Sequence, residues 1–255
     1  MRPLGLAALT VLELPAHEQV SVAAQAGYSH VGLRLVPVAN QVLPPFDERE
    51  VERRLAATGV RVLDVEVFRL TPETRVGDWE PAFAAAQRLG ASDILAHGDD
   101  PEPGRLAQAF GELCTLAARY GLRVNLEPMP WVAISTVAGA KRLVETSANG
   151  NAAVLIDAIH FFRADNRFED IPQNMNYAQF CDAHPGRPSD TQEIIRQARS
   201  DRLFPGEGAL DLRRLLAALP AQLPLSLEIP LSRPMSPQDR ARRALDATRE
   251  LLACA

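Results

Sequence analysis

The chain alternates short apolar segments with amphipathic stretches at intervals of roughly 30 residues, and this alternation limits the fold more than any other feature. The apolar segments are rich in Val, Leu and Ile, a composition typical of strands that are buried on both faces. The predicted strands cover residues 4–9, 31–35, 60–68, 94–97, 124–127, 154–157, 178–181 and 225–229. The predicted helices cover residues 18–26, 48–57, 79–89, 104–120, 136–146, 191–199, 210–219 and 237–253. The pattern predicts a series of βαβ units.

Glycines mark the ends of several predicted helices. Gly27, Gly59, Gly90 and Gly121 each lie just before a strand, where a helix commonly ends on a residue with positive φ. A series of about eight βαβ units favours a closed parallel barrel over an open sheet. No Gly-x-Gly-x-x-Gly follows the first strand, which argues against a dinucleotide-binding fold. We therefore predict an α/β protein with a (β/α)8 TIM barrel, formed as a single domain over residues 1–255.

The sixth unit has the weakest pattern. Residues 160–176 are polar and are interrupted by Pro172, so we predict only a short helix near Arg167. Residues 183–190 are rich in Pro and Gly and predict a second long loop. Loops that follow barrel strands carry the substrate pockets of barrel enzymes, so both segments are expected near a binding site.

Composition excludes several classes of partner. The net charge is −5 and the sequence contains no stripe of basic residues, so we predict no nucleic-acid partner. The apolar stretch at the N-terminus is too short to span a membrane and is weak as a secretion signal. Cys114, Cys181 and Cys254 are widely separated and form no Cys-x-x-Cys pair, which favours a reducing compartment. We predict a cytoplasmic protein that has no membrane partner, and homodimer formation stays open.

Four predicted strands end on side chains that can bind a cation: Glu127, Asp157, Gln179 and Glu228. In a barrel the C-terminal ends of all strands face one mouth, so these side chains would meet although they are distant in sequence. A carboxylate there is costly to bury unless it is paired or binds a cation. Any one of them could instead cap a helix or pair with an arginine, whereas the set predicts a metal site. Oxygen ligands favour Mg²⁺ or Mn²⁺, and the nearby His160 would let Co²⁺ or Zn²⁺ compete.

Other residues near the predicted mouth are candidates for substrate contacts. Trp131 follows Glu127 closely and is expected to form a wall of the pocket, because sugar rings offer apolar C–H faces to aromatic side chains. Glu66 lies near the tip of the third strand and His97 ends the fourth, so both are predicted to bind substrate. Local ion pairing or packing is the alternative for each of them.

The strand-end residues resemble those of the xylose-isomerase-like TIM-barrel superfamily, the sugar phosphate isomerases/epimerases. The resemblance covers nearly the whole chain and depends mainly on its second half. In that family a Glu, an Asp within Asp-x-x-His, a His within His-x-x-Asp and a Glu hold one divalent metal. The resemblance implies that Glu127, Asp157 and Glu228 are metal ligands here. At the seventh strand Gln179 stands where the family usually has His, which favours Mg²⁺ or Mn²⁺ because an amide oxygen is a hard ligand.

The same resemblance assigns two substrate-binding residues. His160 is the second member of the Asp-x-x-His segment and is expected to contact substrate. Arg202 precedes the turn Pro205-Gly206-Glu207-Gly208, which is similar to the family's Pro-Gly-x-Gly turn after an arginine that commonly faces substrate.

The implied chemistry is proton abstraction next to a carbonyl through a metal-stabilised enediolate, with Glu127 and Glu228 as acid and base. This predicts an isomerase or epimerase of a small sugar, ketose or keto acid. A dehydratase of a cyclic keto-polyol or a dehydroshikimate-like acid is the alternative on the same fold, as is a sugar-binding barrel without turnover. A carboxylate substrate would need arginines at the mouth, for which the candidates are Arg34, Arg69, Arg163 and Arg202. The five His are too few for the three-metal endonucleases of the superfamily.

Overall fold

The computed structural model describes residues 2–38 and 41–254. Within these ranges nine strands form one parallel sheet. The strands are β1 (Leu4–Leu6), β2 (His30–Arg34), β3 (Arg61–Leu70), β4 (Asp93–Gly98), β5 (Arg123–Leu126), β6 (Ala152–Val154), β7 (Ile156–Asp157), β8 (Ala178–Phe180) and β9 (Leu225–Leu227). The order in the sheet is β6-β5-β4-β3-β2-β1-β9-β8-β7.

Helices connect the strands and cover the outside of the sheet. They are α1 (Ala16–Ala26), α2 (Glu48–Thr58), α3 (Glu80–Arg88), α4 (Pro103–Arg119), α5 (Val137–Ser147), α6 (Ala158–Arg163), α7 (Thr191–Ser200), α8 (Leu212–Ala218) and α9 (Pro237–Ala253). Short 3₁₀ helices occupy Ala8–Val11, Val76–Trp79 and Phe168–Asp170. Across the described residues, no helix is both long enough and apolar enough to cross a bilayer.

The sheet closes into a barrel at the sixth strand position. Only Leu155 separates β6 from β7, so one continuous segment pairs with β5 through β6 and with β8 through β7. Inside the order, β1 pairs with β2 and β9, which joins the two halves of the sheet. The predicted (β/α)8 TIM barrel is therefore confirmed.

Two apolar clusters stabilise the barrel. The larger one lies between the sheet and the helices and contains residues such as Phe68, Phe110 and Leu227. The smaller cluster consists of Leu63, Val67, Leu95, Leu155 and Tyr177, which come from strands on different sides of the barrel and fill its interior. Burial of both faces explains why the strands read as continuous apolar runs.

The glycine pattern is confirmed. Gly27, Gly59, Gly90 and Gly121 have φ values of 95°, 73°, 72° and 69°, which lie in the left-handed region that suits glycine. Each follows a helix and precedes a strand, so these residues reverse the chain at the N-terminal end of the barrel.

The first predicted strand is too long. The strand ends at Leu6, and Ala8–Val11 forms a 3₁₀ helix instead of continuing to residue 9. The Thr10 hydroxyl explains this turn, because it donates to the carbonyl oxygen of Leu227 at 2.8 Å and accepts from the Ile229 amide at 2.9 Å. These bonds hold the chain across the end of β9.

The short helix predicted near Arg167 is present as the 3₁₀ helix Phe168–Asp170. The sequence did not predict α6, which begins at Ala158. The Asp157 carboxylate caps α6 by accepting from the amides of Ile159 and His160 at 2.9 and 3.3 Å. Buried Ile159 and Phe161 add packing. A capped and partly apolar turn can therefore form a helix in spite of its short length.

Candidate metal centre and active site

A cavity of about 400 Å³ lies at the C-terminal ends of the barrel strands. The predicted site residues that line it are Glu66, His97, Glu127, Trp131, His160, Arg202 and Glu228. Asp157 and Gln179 lie directly behind this lining and are 2% and 1% exposed. The register explains their proximity, because Asp157 of β7 is paired with Gln179 of β8, which is paired with Ser226 two residues before Glu228. The fold thus brings all nine predicted residues to one end of the barrel.

Glu127 lies between two histidines. Its Oε2 atom is 2.5 Å from His97 Nε2, and its Oε1 atom is 3.6 Å from His160 Nε2. Burial and the neighbouring Asp157 carboxylate raise the pKa of Glu127 well above its usual value. Oε1 is buried and has no hydrogen-bond donor among the described residues. This oxygen is available to a ligand.

Both histidines are neutral near pH 7. Burial lowers the pKa of His97 to about 3, and the charges of Arg34 and Arg69 act in the same direction. Burial likewise lowers the pKa of His160 to about 3, although Asp157 opposes this change. His97 therefore forms a hydrogen bond with Glu127 as a neutral ring, and neutral His160 lies close to Glu127 without bonding to it. Trp131 packs edge-on against His160, with the ring centroids 4.9 Å apart, and keeps that ring in place.

Arg202 connects two of the predicted metal ligands. It is 2% exposed, and its Nη1 and Nη2 atoms lie 2.6 Å from Asp157 Oδ2 and 2.7 Å from Glu228 Oε2. Burial acts to raise the pKa of Asp157, but Arg202 and His160 outweigh it and the pKa is lowered. Burial raises the pKa of Glu228 well above its usual value in spite of Arg202. The guanidinium therefore balances charge at the centre of the site.

Gln179 is oriented by Glu228. Its Nε2 atom donates to Glu228 Oε1 at 3.0 Å, which leaves the amide oxygen as its free group. That oxygen is buried and has no donor among the described residues. A free oxygen is the atom that a hard cation would use.

The donor set fits a divalent cation. Ligand atoms of Glu127, Asp157 and His160 all lie within 4.8 Å of one another, and all three residues are buried. A second observation also indicates a cation site. One buried oxygen of Glu127 and one of Gln179 have no donor among the described residues, and a cation would satisfy both. The geometry adds His160 to the candidate ligands, whereas the sequence predicted it to bind substrate. Glu228 contacts Arg202 and Gln179 and is not one of these three residues.

Arginines add positive charge around the cavity. Arg34 Nη2 pairs with Glu66 Oε1 at 2.8 Å, and Arg69 Nε donates to Asp99 Oδ2 at 2.8 Å. Arg163 was named with them from sequence, but it points away and donates to the His184 carbonyl at 2.8 Å and to Gln197 Oε1 at 3.0 Å.

Arg199 also lines the cavity, and the sequence analysis missed it. It lies in the last turn of α7, outside the strand tips on which the sequence analysis relied. Sequence spacing alone does not predict that a residue at the end of a helix lies at the mouth of the barrel.

The fold and the cavity define a β/α barrel with a cluster of carboxylates, histidines and arginines at its C-terminal mouth. The chain belongs to the xylose isomerase-like TIM barrel family, whose sequence profile matches residues 20–251. Membership confirms the resemblance that the strand ends indicated.

Individual relatives include enzymes with different reactions. The chain is 29% identical to 3-dehydroshikimate dehydratase of Pseudomonas aeruginosa over 201 residues, which are 71% of this chain and 31% of that protein. It is 30% identical to inosose isomerase of Bacillus subtilis over 112 residues, 42% of this chain and 39% of that protein. Both matches span less than half of the relative's length. The crystal structure of the IOLI protein with a zinc atom has a TM-score of 0.78 at 17% identity and covers 99% of this chain and 98% of that chain.

Proposed function

We propose that the protein is a divalent-metal-dependent isomerase or epimerase that removes a proton next to a carbonyl of a small sugar, ketose or keto acid. The observation that carries the proposal is the meeting of Glu127 and Glu228 in one cavity, beside buried Asp157. The two glutamates come from strands that are far apart in sequence, and a substrate in the cavity would contact both.

The proposed metal ligands are Glu127, Asp157, Gln179 and Glu228, with His160 as a further donor at the same position. Mn²⁺ and Mg²⁺ suit the oxygen atoms, whereas the imidazole would also admit Co²⁺ or Zn²⁺. The zinc atom in the IOLI structure, which has the same fold, supports a metal-binding role. When bound, the cation would polarise the substrate carbonyl and make the adjacent proton more acidic.

Glu127 and Glu228 are the proposed catalytic residues. One carboxylate removes the proton adjacent to the carbonyl, and the other side chain returns a proton, which gives an epimer or an isomer according to the carbon that receives it. Burial raises the pKa of both carboxyl groups above the usual value, which is the direction that suits a general acid. Arg202 donates to Glu228 and is placed to contact the oxygens of the substrate as the negative charge of an enediolate develops.

Other lining residues would orient the substrate. Trp131, Val67 and Leu95 give the cavity apolar surface that suits the C–H faces of a ring. Glu66 and His97 add polar groups for hydroxyls on the side of β3 and β4. The cavity therefore combines a polar floor with apolar walls.

A dehydratase is the second candidate, and a specific observation favours it. The match with 3-dehydroshikimate dehydratase extends over 71% of this chain, which is more than the match with inosose isomerase covers. In that reaction the same proton is removed, and a hydroxyl group leaves as water from the adjacent carbon. Arg34 and Arg69 at the mouth are compatible with the acidic substrate of such an enzyme.

We also propose a cytoplasmic location and a small-molecule partner in place of a nucleic acid or a membrane. The net charge of −5 and the two buried free cysteines, Cys114 and Cys181, support this. Homodimer formation stays a prediction.

The proposal is tested by loading the protein with Mn²⁺ and incubating it in heavy water with inosose, allulose and 3-dehydroshikimate. Deuterium at the carbon next to the carbonyl, measured by NMR, indicates isomerase or epimerase chemistry, and a new ultraviolet-absorbing product indicates dehydration. Glu127→Gln and Glu228→Gln are each expected to slow the reaction by more than about a hundredfold while ligand binding changes much less. Glu112→Gln, an exposed change on α4, is the matched control and keeps the wild-type rate. Unchanged rates in either site variant contradict the roles of the glutamates, and binding without exchange or elimination indicates a non-catalytic barrel.

A further inference from the structure

We propose that Arg199 is a specificity residue that binds a carboxylate group on the substrate. The inference rests on the proposed function, because it concerns the same cavity, and it names the chemical class of the substrate as a monoanionic polyol or keto acid. Two observations carry it: the pairing of the other lining arginines with carboxylates, and the place of the exposed Arg199 side chain at the rim.

The arginines that line the cavity are paired with carboxylates, with one exception. Arg34 pairs with Glu66, and Arg69 pairs with Asp99. Arg202 contacts two carboxylates at once. Among the described residues, Arg199 is the one cavity-lining arginine that makes neither an ion pair nor a side-chain hydrogen bond with the protein. Its charge is available to a ligand.

The backbone next to Arg199 is held by the site, and the Arg199 side chain is exposed. The preceding residue, Ala198, also lines the cavity, and its carbonyl oxygen accepts from Arg202 Nε at 2.7 Å. The end of α7 is thereby attached to the guanidinium that bridges Asp157 and Glu228. A cation in the last turn also suits the helix dipole, so the experiment must separate binding from stability.

The single unpaired guanidinium of Arg199 favours a carboxylate over a phosphate. A phosphate ester carries about two negative charges near neutral pH, whereas one unpaired guanidinium matches a single charge. The planar guanidinium can donate two parallel hydrogen bonds to the two oxygens of a carboxylate. Arg34 supplies a further donor: its side chain is 8% exposed, and its Nε atom is buried without an acceptor among the described residues. That atom can bind a hydroxyl or carboxylate oxygen without adding net charge, because Glu66 already balances Arg34.

The test compares ligands that share one ring and differ in the charged group that they carry. Shikimate, its methyl ester and the methyl ester of shikimate 3-phosphate, which has a phosphate but no carboxylate, are titrated by calorimetry into the Mn²⁺-loaded protein. The wild type is expected to bind shikimate roughly tenfold more tightly than its own methyl ester, a difference that suits one charge-assisted hydrogen-bonding contact. Arg199→Gln is expected to abolish this preference, and Arg199→Lys to keep part of it. Arg49→Gln removes the same charge from an exposed position on α2 and retains the wild-type preference. Thermal unfolding of each variant separates a loss of binding from a loss of stability.

The outcomes are distinct from those of the proposed function. The inference is overturned if Arg199→Gln keeps the preference, or if the wild type shows none, including failure to bind either ligand. Binding of the phosphate that is tighter than that of shikimate and depends on Arg199 contradicts the choice of a carboxylate. A preference that depends on Arg199 in a protein that exchanges no proton supports this inference and contradicts the proposed reaction.

Discussion

Arg202 places one guanidinium between carboxylates that belong to two different strands. Asp157 and Glu228 each lie within 2.7 Å of it, and all three side chains are almost completely buried. Two unpaired carboxylates in this position would repel one another and would lack solvation. Arg202 and a bound metal ion are therefore both expected to stabilise these carboxylates.

Arg202→Met is expected to destabilise the chelator-treated protein by about 3–5 kcal/mol, because it leaves buried carboxylates without their partner. Added Mn²⁺ should then raise the stability of the variant more than that of the wild type, since the cation replaces the missing charge. Urea unfolding with chelator and with Mn²⁺ measures both effects. Arg240→Met is the control: Arg240 is also buried, but it donates to the Thr10 carbonyl outside the cavity. A Mn²⁺ response of Arg202→Met no larger than that of this control contradicts the argument.

Asp64 lies inside the barrel and is expected to make the free energy of unfolding depend on pH. Its carboxyl group is fully buried and accepts from the Tyr177 hydroxyl at 2.6 Å. Burial and the charge of Glu66 raise the pKa of Asp64 well above 3.8. The folded state therefore holds this proton more tightly than the unfolded state does. The resulting stabilisation is complete at a pH below 3.8 and is lost as the pH rises through the raised pKa.

Asp64→Asn should remove this loss, because the amide stays uncharged at every pH. Urea unfolding from about pH 4 to about pH 8 is expected to give a flatter profile for the variant than for the wild type. Asp246→Asn, an exposed change on α9, should run parallel to the wild type. Parallel profiles for Asp64→Asn and the wild type would show that Asp64 is ionised throughout or is unperturbed in the folded protein.

At the scale of elements, the turn after β8 is organised by Asp182. Its carboxylate accepts from the amides of Gly206, Gly208 and Leu210, each at 3.0 Å. The backbones of Asp182 and Leu203 are also bonded in both directions at 2.9 Å, which fixes the segment that carries Arg202. A Cβ atom at Gly208 would lie 2.4 Å from the Ala183 carbonyl oxygen. The Pro-Gly-x-Gly sequence therefore serves close packing of this turn.

Gly208→Ala is expected to destabilise the protein by about 1–3 kcal/mol, because the new methyl group collides with backbone atoms. Gly111→Ala offers the opposite case: Gly111 lies in α4 with open space around its Cβ position. That change should stabilise the protein by about 1 kcal/mol, since alanine favours a helix over glycine. Thermal unfolding of the pair provides the comparison. Equal effects of the same sign would contradict the packing around Gly208.

Some helices and strands of this chain could be predicted from the sequence, and others could not. The strands were predictable because they are buried on both faces, and the ends of four helices because they require glycine. The helix α6 was not, since helix capping by Asp157 was considered only as the alternative to metal binding. The strand-tip residues of the site followed from barrel topology. The bridge made by Arg202 and the place of Arg199 depend on three-dimensional packing, for which sequence spacing gives no signal.

At the scale of the whole molecule, barrel closure is what creates the site. Glu127, Asp157 and Glu228 lie on three strand positions, and they share one mouth only because β7, β8 and β9 join the ring to β1. The buried oxygens of Glu127 and Gln179 lack donors within the described chain. The barrel therefore assembles a site suited to one cation from residues that are distant in sequence.

The most direct test of this account is a titration of metal-free protein with Mn²⁺, in which bound ions are counted by electron paramagnetic resonance. The account predicts one saturable site per chain in the wild type and its loss in Asp157→Asn, a change that retains the helix-capping oxygen of residue 157. Asp64→Asn, inside the barrel but away from the proposed ligands, should bind Mn²⁺ as the wild type does. No saturable site in the wild type, or wild-type affinity in Asp157→Asn, would contradict the claim that these carboxylates hold a metal ion.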